Sequence, residues 1–204
     1  FFMKKILINI VLLFFITSNV NAHISHYKNF KKIEMEIFLN NKLIGYNYYF
    51  FKIDKDITLI TNQIKFTVKV LGATIFEVEG YGEEKYNKDK LISFNSRTKQ
   101  NKKEKFVNLK LDKKNDEFMI KGSSYTGKAA TNNVVGNWWN HKLLQVESQI
   151  SPISGSIKKQ IITFIAKEKI KLYEKNFDTE HFKLKSTDMS LPDDKKLNFD
   201  IWLD

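Results

Sequence analysis

From Ile64 to Val70 apolar and polar side chains alternate without a break, Ile64, Phe66, Val68 and Val70 against Lys65, Thr67 and Lys69. A period of two sends each set to its own face of an extended chain, so this segment reads as a half-buried strand and not as a helix. The same period recurs upstream, where Ile33, Met35, Ile37 and Leu39 alternate with Glu34, Glu36 and Phe38. Leu43 to Ile53 sets Tyr46, Tyr48 and Phe50 on one face, and downstream Phe76 and Val78 alternate with Glu77 and Glu79. Asn40-Asn41-Lys42, Asp54-Lys55-Asp56 and Leu71-Gly72-Ala73 supply reversals between these runs. The segments Leu91–Thr98, Lys105–Leu111 and Glu117–Gly122 continue the series across Lys- and Asn-rich turns. Short connections favour nearest-neighbour antiparallel pairing, which makes this a meander. The paired glycines of Gly80-Tyr81-Gly82 predict a bulge or sharp bend.

After Gly122 the texture changes. Residues Ser123–Val135 are small and polar and read as a loop. Asn137–Glu147 is the one helical candidate, with Asn137 as N-cap and Trp139, Leu143 and Val146 on one face. Ser151-Pro152-Ile153-Ser154-Gly155 breaks the chain, and strands return at Ile157–Ala166, Ile170–Tyr173, His181–Lys185 and Leu197–Leu203. The expected fold is mainly β: a strongly curved antiparallel sheet or incomplete β-barrel with one short helix at its open end. Without repeats or linkers, residues 23–204 read as one domain, and a strand running into Asp204 suggests that a final edge strand is missing.

Residues 1–22 have the order of a cleaved signal peptide: Lys4 and Lys5, an apolar stretch from Ile6 to Ile16, and small-residue positions ending at Ala22. That stretch is short for the roughly 30 Å of a bilayer core. The expected location is therefore the periplasm. No cysteine occurs, so the exported chain must hold by its core alone, without disulfides or a lipoprotein anchor. A formal net charge of +11 arises almost wholly from lysine, with Arg97 the single arginine. Specific phosphate and base readers favour the arginine fork, so this balance argues against nucleic acid. Lysines scattered through turns (Lys88, Lys90, Lys102, Lys103, Lys113, Lys114) instead keep β edges unpaired and allow at most peripheral attraction to anionic membranes.

Several stretches, in this order and spacing, resemble an uncharacterised family of exported bacterial proteins, the domain of unknown function numbered 6134. They are Ile33–Gly45 with its Leu43-Ile44-Gly45, Phe66–Gly80, Gly82–Tyr86, Asn137–Leu144, Ser151–Gly155 and the terminal Phe199–Asp204. The resemblance implies a β-rich periplasmic fold, no assigned activity and no transferable catalytic residues. It also implies one further strand beyond the position of Asp204.

The most unusual local feature is Trp138-Trp139-Asn140-His141. Two amphipathic rings at the mouth of a curved sheet can close over an apolar ligand, with Asn140 or His141 orienting a polar head. The alternative is that the tryptophans plug the end of the barrel. With Tyr81 from the glycine pair, Trp138, Trp139, Asn140 and His141 form the candidate ligand-binding set. Other constellations are weaker. His23 and His26 suggest a copper site only if cleavage exposes His23. Ser123-Ser124 and Ser154 lack a nucleophile elbow for use with His141 or His181. The acidic pairs Glu83-Glu84 and Asp193-Asp194 read as solvated. No metal or cofactor is expected. The functional expectation is a monomeric carrier for a hydrophobic, lipid-like ligand. The alternatives are an envelope assembly protein without enzymatic activity and, less favoured, an enzyme with a site near His141.

Overall fold

The computed structural model describes residues 29–204, so the signal-peptide segment and His23 and His26 lie outside the described residues. Eight strands follow one another as a meander: β1 (Lys32–Leu39), β2 (Lys42–Asp54), β3 (Ile57–Val70), β4 (Ala73–Asn87), β5 (Lys90–Gln100), β6 (Lys103–Asp112), β7 (Glu117–Gly122) and β8 (Thr126–Ala130). They form one antiparallel sheet in sequence order, with β1 and β8 at its margins, so the sheet stays open. A second sheet has the order β13-β12-β11-β10-β9, built from β9 (Val134–Val135), β10 (Ser148–Ile150), β11 (Ile157–Leu172), β12 (Lys175–Ser186) and β13 (Asn198–Leu203). Among the described residues only the β9–β10 pair is parallel.

Alternation sorts the first sheet into an inner and an outer face. Tyr49, Ile60, Tyr86, Phe94, Val107, Leu109, Phe118 and Ile120 are buried on the inner face, where Val135, Trp139 and Ile150 from the opposing segment close over them. A smaller cluster of Val134, Leu143, Leu184 and Leu197 lies beneath the second sheet.

Four local expectations are corrected. β4 runs through Gly80-Tyr81-Gly82 with its register to β3 and β5 unbroken there, so the glycines make neither bulge nor bend. Residues 157–172 form one strand instead of two. The loop expected over Ser123–Val135 contains β8 and β9. The helix contracts to a 3-10 turn at His141–Gln145 capped by Asn140, whose side chain accepts from the Lys142 N–H at 3.1 Å. Asn137 does not cap it, because its amide is spent inside the core on Glu84. That bond, and a bond from the Trp139 ring to the same carboxylate, hold residues 137–140 outside the helical turn.

Candidate functional site

Register across β2–β5 lays three rows of side chains on the inner face. One is Tyr49, Asn62, Gly82 and Ser96; the next is Asn47, Ile64, Gly80 and Thr98; the third is Gly45, Phe66, Val78 and Gln100. Glycine therefore occupies the β4 position in two adjacent rows. A Cβ at Gly80 would lie 3.0 Å from both Ile64 Cγ2 and Thr98 Oγ1, and one at Gly82 would lie 3.4 Å from Phe94 Cε2. Neighbouring side chains thus pack closely over both glycines, which line a trough of about 220 Å³ whose apolar walls include Ile64, Phe66, Phe76, Val78 and Phe94.

Two segments roof it. Pro152 and Ile153 line it from the turn before β11, which Ser96 Oγ tethers by donating to the Pro152 carbonyl at 2.6 Å. Trp138 lines it from the other side and meets Phe199 of β13 edge-on, with ring centroids 4.9 Å apart. A connected polar cluster marks one end, and Thr98 and Gln100 add polar groups on the β5 wall. Asn62 donates to Asn47 at 2.6 Å, Asn47 donates to the Tyr49 hydroxyl at 3.0 Å, and the Trp138 N–H reaches the same hydroxyl at 3.3 Å. Burial pushes the Tyr49 phenol up to about 12, so it remains a neutral hydroxyl. An apolar trough with a few converging polar groups is the usual form of a small-molecule site.

Behind the polar end lies Glu84, which is 2% exposed. Its carboxylate accepts from the Tyr86 hydroxyl at 2.5 Å, from Asn137 Nδ2 at 2.6 Å and from Trp139 Nε1 at 2.7 Å. Burial drives its pKa upward, while the three donors pull the other way. Burial beside this carboxylate also lifts the Tyr86 phenol well above its ordinary value. The network fixes the residues immediately before and after Trp138 and so sets the roof of the trough.

The sequence-derived candidates divide. Trp138 lines the trough, whereas Trp139 is 1% exposed and packs edge-on against Phe51 and Tyr86. Asn140 is buried, bonded to Tyr86 and capping the 3-10 turn. His141 is exposed and outside the trough lining. Tyr81 borders the trough between the two glycines, but alternation sends its half-exposed ring to the outer face. Of the acidic pairs, Glu83-Glu84 is not solvated as expected. Its second member faces inward because Phe76, Val78, Gly80, Gly82 and Glu84 share one parity on β4.

Sequence reasoning passed over Gly80, Gly82, Asn47 and Asn62. The signal was present as glycines two apart on the apolar face of a strand, a spacing that marks a bare floor as readily as a bend.

Other constellations have structural roles. His181 is held between Glu168 (Nδ1, 2.9 Å) and Asp200 (Nε2, 3.0 Å) and stacks on Trp202, so both ring nitrogens are engaged. Ser154 Oγ bonds Ser151 and Ser156, and Ser123 Oγ bonds the Phe106 backbone. A second hollow of about 520 Å³ runs along Leu144–Ser148 and Lys159–Ile162. It is larger than the trough and takes in none of the candidate residues. Among the described residues no group of three or more His, Asp or Glu is placed to hold a metal ion.

No curated protein and no solved structure matches the chain. One family model does, that of a domain of unknown function, DUF6134, and it spans residues 35–204, from the first strand to the last. The chain belongs to the DUF6134 family.

Proposed function

We propose that this protein is a periplasmic binding or carrier module that holds an apolar, lipid-like ligand in the trough on the inner face of β2–β5. The observation that carries this reading is the pair of inward glycines. They lie in the lining of a trough with apolar walls and with Asn47, Asn62 and Tyr49 at one end. Empty apolar space forfeits packing contacts, so a chain that maintains it without an occupant gives up stability. The dimensions suit one acyl chain or ring system, with its polar head at the asparagine end.

Native mass spectrometry of the mature protein, purified gently and then denatured in organic solvent, is the direct test. A reproducible adduct released as an apolar compound supports the reading. Titration with dansyl-undecanoic acid adds a quantitative probe. Trp138→Ala should weaken that probe about tenfold by removing the roof ring. It should lower unfolding stability by only about 1 kcal/mol, since its principal ring partner is Phe199 at the margin. Unchanged probe affinity in Trp138→Ala would place binding elsewhere.

A second reading, an envelope interaction protein, is favoured by one observation. Among the described residues β13 pairs only with β12, and exposed aromatic residues (Phe164, Phe199, Trp202) lie on this sheet. An adduct-free protein that fails to bind the probe would favour it.

A further inference from the structure

The two ends of the eight-stranded sheet differ in chemistry. At one end the turns after β2, β4 and β6 contain Asp54-Lys55-Asp56, Lys88-Asp89 and Asp112–Asp116, where acids and lysines balance and Lys90 pairs with Asp116 at 2.5 Å. At the other end the turns after β1, β3 and β5 and the strand ends beside them gather Lys42, Lys65, Lys69, Lys99, Lys102, Lys103 and Lys105 against Glu36, Glu77, Glu79 and Glu104, with Lys65 paired to Glu79 at 3.5 Å, so lysine is in excess. The same end is apolar at its tips, where Phe38, Leu39, Leu43, Val70, Leu71 and Ile75 are all exposed.

The β3–β4 hairpin reaches farthest. Beyond Phe66 on β3 and Val78 on β4, ladder pairing continues only within the hairpin itself. Its turn places Leu71 at φ 49° and Gly72 at φ 83°. Two left-handed residues in a hairpin turn call for Asn-Gly or Asp-Gly, because a bulky side chain is strained there. The neighbouring β1–β2 turn follows that rule with Asn40 and Asn41, and the β5–β6 turn with Asn101. Leu71 instead bears the strain while its side chain is fully exposed, at 103%. Lys55, Lys88, Tyr173 and Glu174 also take a left-handed φ in hairpin turns; Leu71 differs from them in presenting a wholly aliphatic side chain that neither the turn geometry nor the core requires.

We infer that this end of the sheet docks on an anionic phospholipid bilayer, with Leu71 and its apolar neighbours entering the acyl boundary and the lysines meeting lipid phosphates. Apolar side chains ringed by an excess of cations are what an interfacial anchor requires. The lining of the trough extends toward the same end. Phe66 and Phe76, 5.8 Å apart at the base of the hairpin, form its outer walls. A chain drawn from the bilayer would therefore pass along the hairpin into the trough, a step that rests on the carrier reading, whereas the docking itself does not.

The test is co-sedimentation of the full mature chain with vesicles of equal parts phosphatidylglycerol and phosphatidylcholine, against phosphatidylcholine alone. The wild type is expected to partition at least about tenfold more strongly onto the anionic vesicles. Leu71→Asn, which suits the left-handed turn better and so keeps the fold, should weaken that partition about tenfold. Lys102→Glu combined with Lys103→Glu should abolish the preference for anionic lipid. Absence of wild-type partition, or equal partition by Leu71→Asn, overturns the docking. Dansyl-undecanoic acid, offered without vesicles, separates the two readings. If Leu71→Asn binds the probe like the wild type yet leaves the vesicles, docking and carriage both stand. If partition depends on Leu71 but neither protein takes up the probe, docking stands and the carrier reading falls.

Discussion

Glu84→Ala will lower the unfolding free energy by roughly 3–5 kcal/mol. The alanine leaves the Tyr86 hydroxyl, Asn137 Nδ2 and Trp139 Nε1 without their acceptor in a site that is 2% exposed at Glu84. Each stranded donor costs about 1–3 kcal/mol, and relief of carboxylate burial returns only part of the total. Glu84→Gln separates shape from charge. Its carbonyl oxygen keeps Asn137 and Trp139, and its amide turns toward Tyr86, whose hydroxyl rotates to accept. A loss within about 1.5 kcal/mol is expected.

The pH dependence has a definite sign. Burial raises the pKa of Glu84 in the folded chain above its ordinary value of 4.5. Above that value the folded state holds the proton that the unfolded state has released. Wild-type stability relative to Glu84→Gln should therefore be greatest below the ordinary glutamate range and fall as pH rises through the elevated folded value. Urea unfolding of both proteins between about pH 4 and 9 reads the difference directly. A wild-type advantage that grows with pH would mean that the three donors, not desolvation, dominate the carboxylate.

The strand pattern of this fold was open to sequence reading because period two is set by a local rule. Ile64–Val70 and Ile33–Leu39 lie where alternation placed them, and the reversals at Asn40-Asn41, Asp54-Lys55-Asp56 and Leu71-Gly72 are all turns. The rule fails where side chains from distant segments decide. Asn137 looks like a cap in isolation, yet its amide is claimed by a carboxylate 53 residues away. Trp139 looks like a ligand-facing twin of Trp138, yet its ring nitrogen satisfies that same carboxylate. A charged residue read as solvated thus reorganised the one segment singled out as functional. Glycine carried the opposite ambiguity: Gly80 and Gly82 share the parity of Phe76 and Val78, and the unbroken register with β3 and β5 shows that they face inward without making a bend.

That register makes the trough testable by filling it. A Cβ at Gly82 meets Phe94 Cε2 at 3.4 Å and Asn62 Cβ at 3.6 Å, so Gly82→Ala is accommodated in near-normal contact. In mid-strand it should gain about 0.5–1 kcal/mol of stability. Its methyl displaces about one methylene of a bound chain, worth about 0.8 kcal/mol, and should weaken dansyl-undecanoic acid about fourfold. Gly82→Leu extends three carbons farther, displaces three or four methylenes in all, and should weaken the probe about a hundredfold. Overpacking against Phe94 costs that variant about 1–3 kcal/mol, which urea unfolding measures separately from binding. Tyr81→Leu, one residue away on the outer face, changes a larger side chain and should leave probe affinity unchanged. A graded loss from glycine through alanine to leucine, with Tyr81→Leu silent, is the signature of a ligand lying across the two inward glycines. The reverse pattern would move the ligand to the outer face and leave the trough as unfilled core.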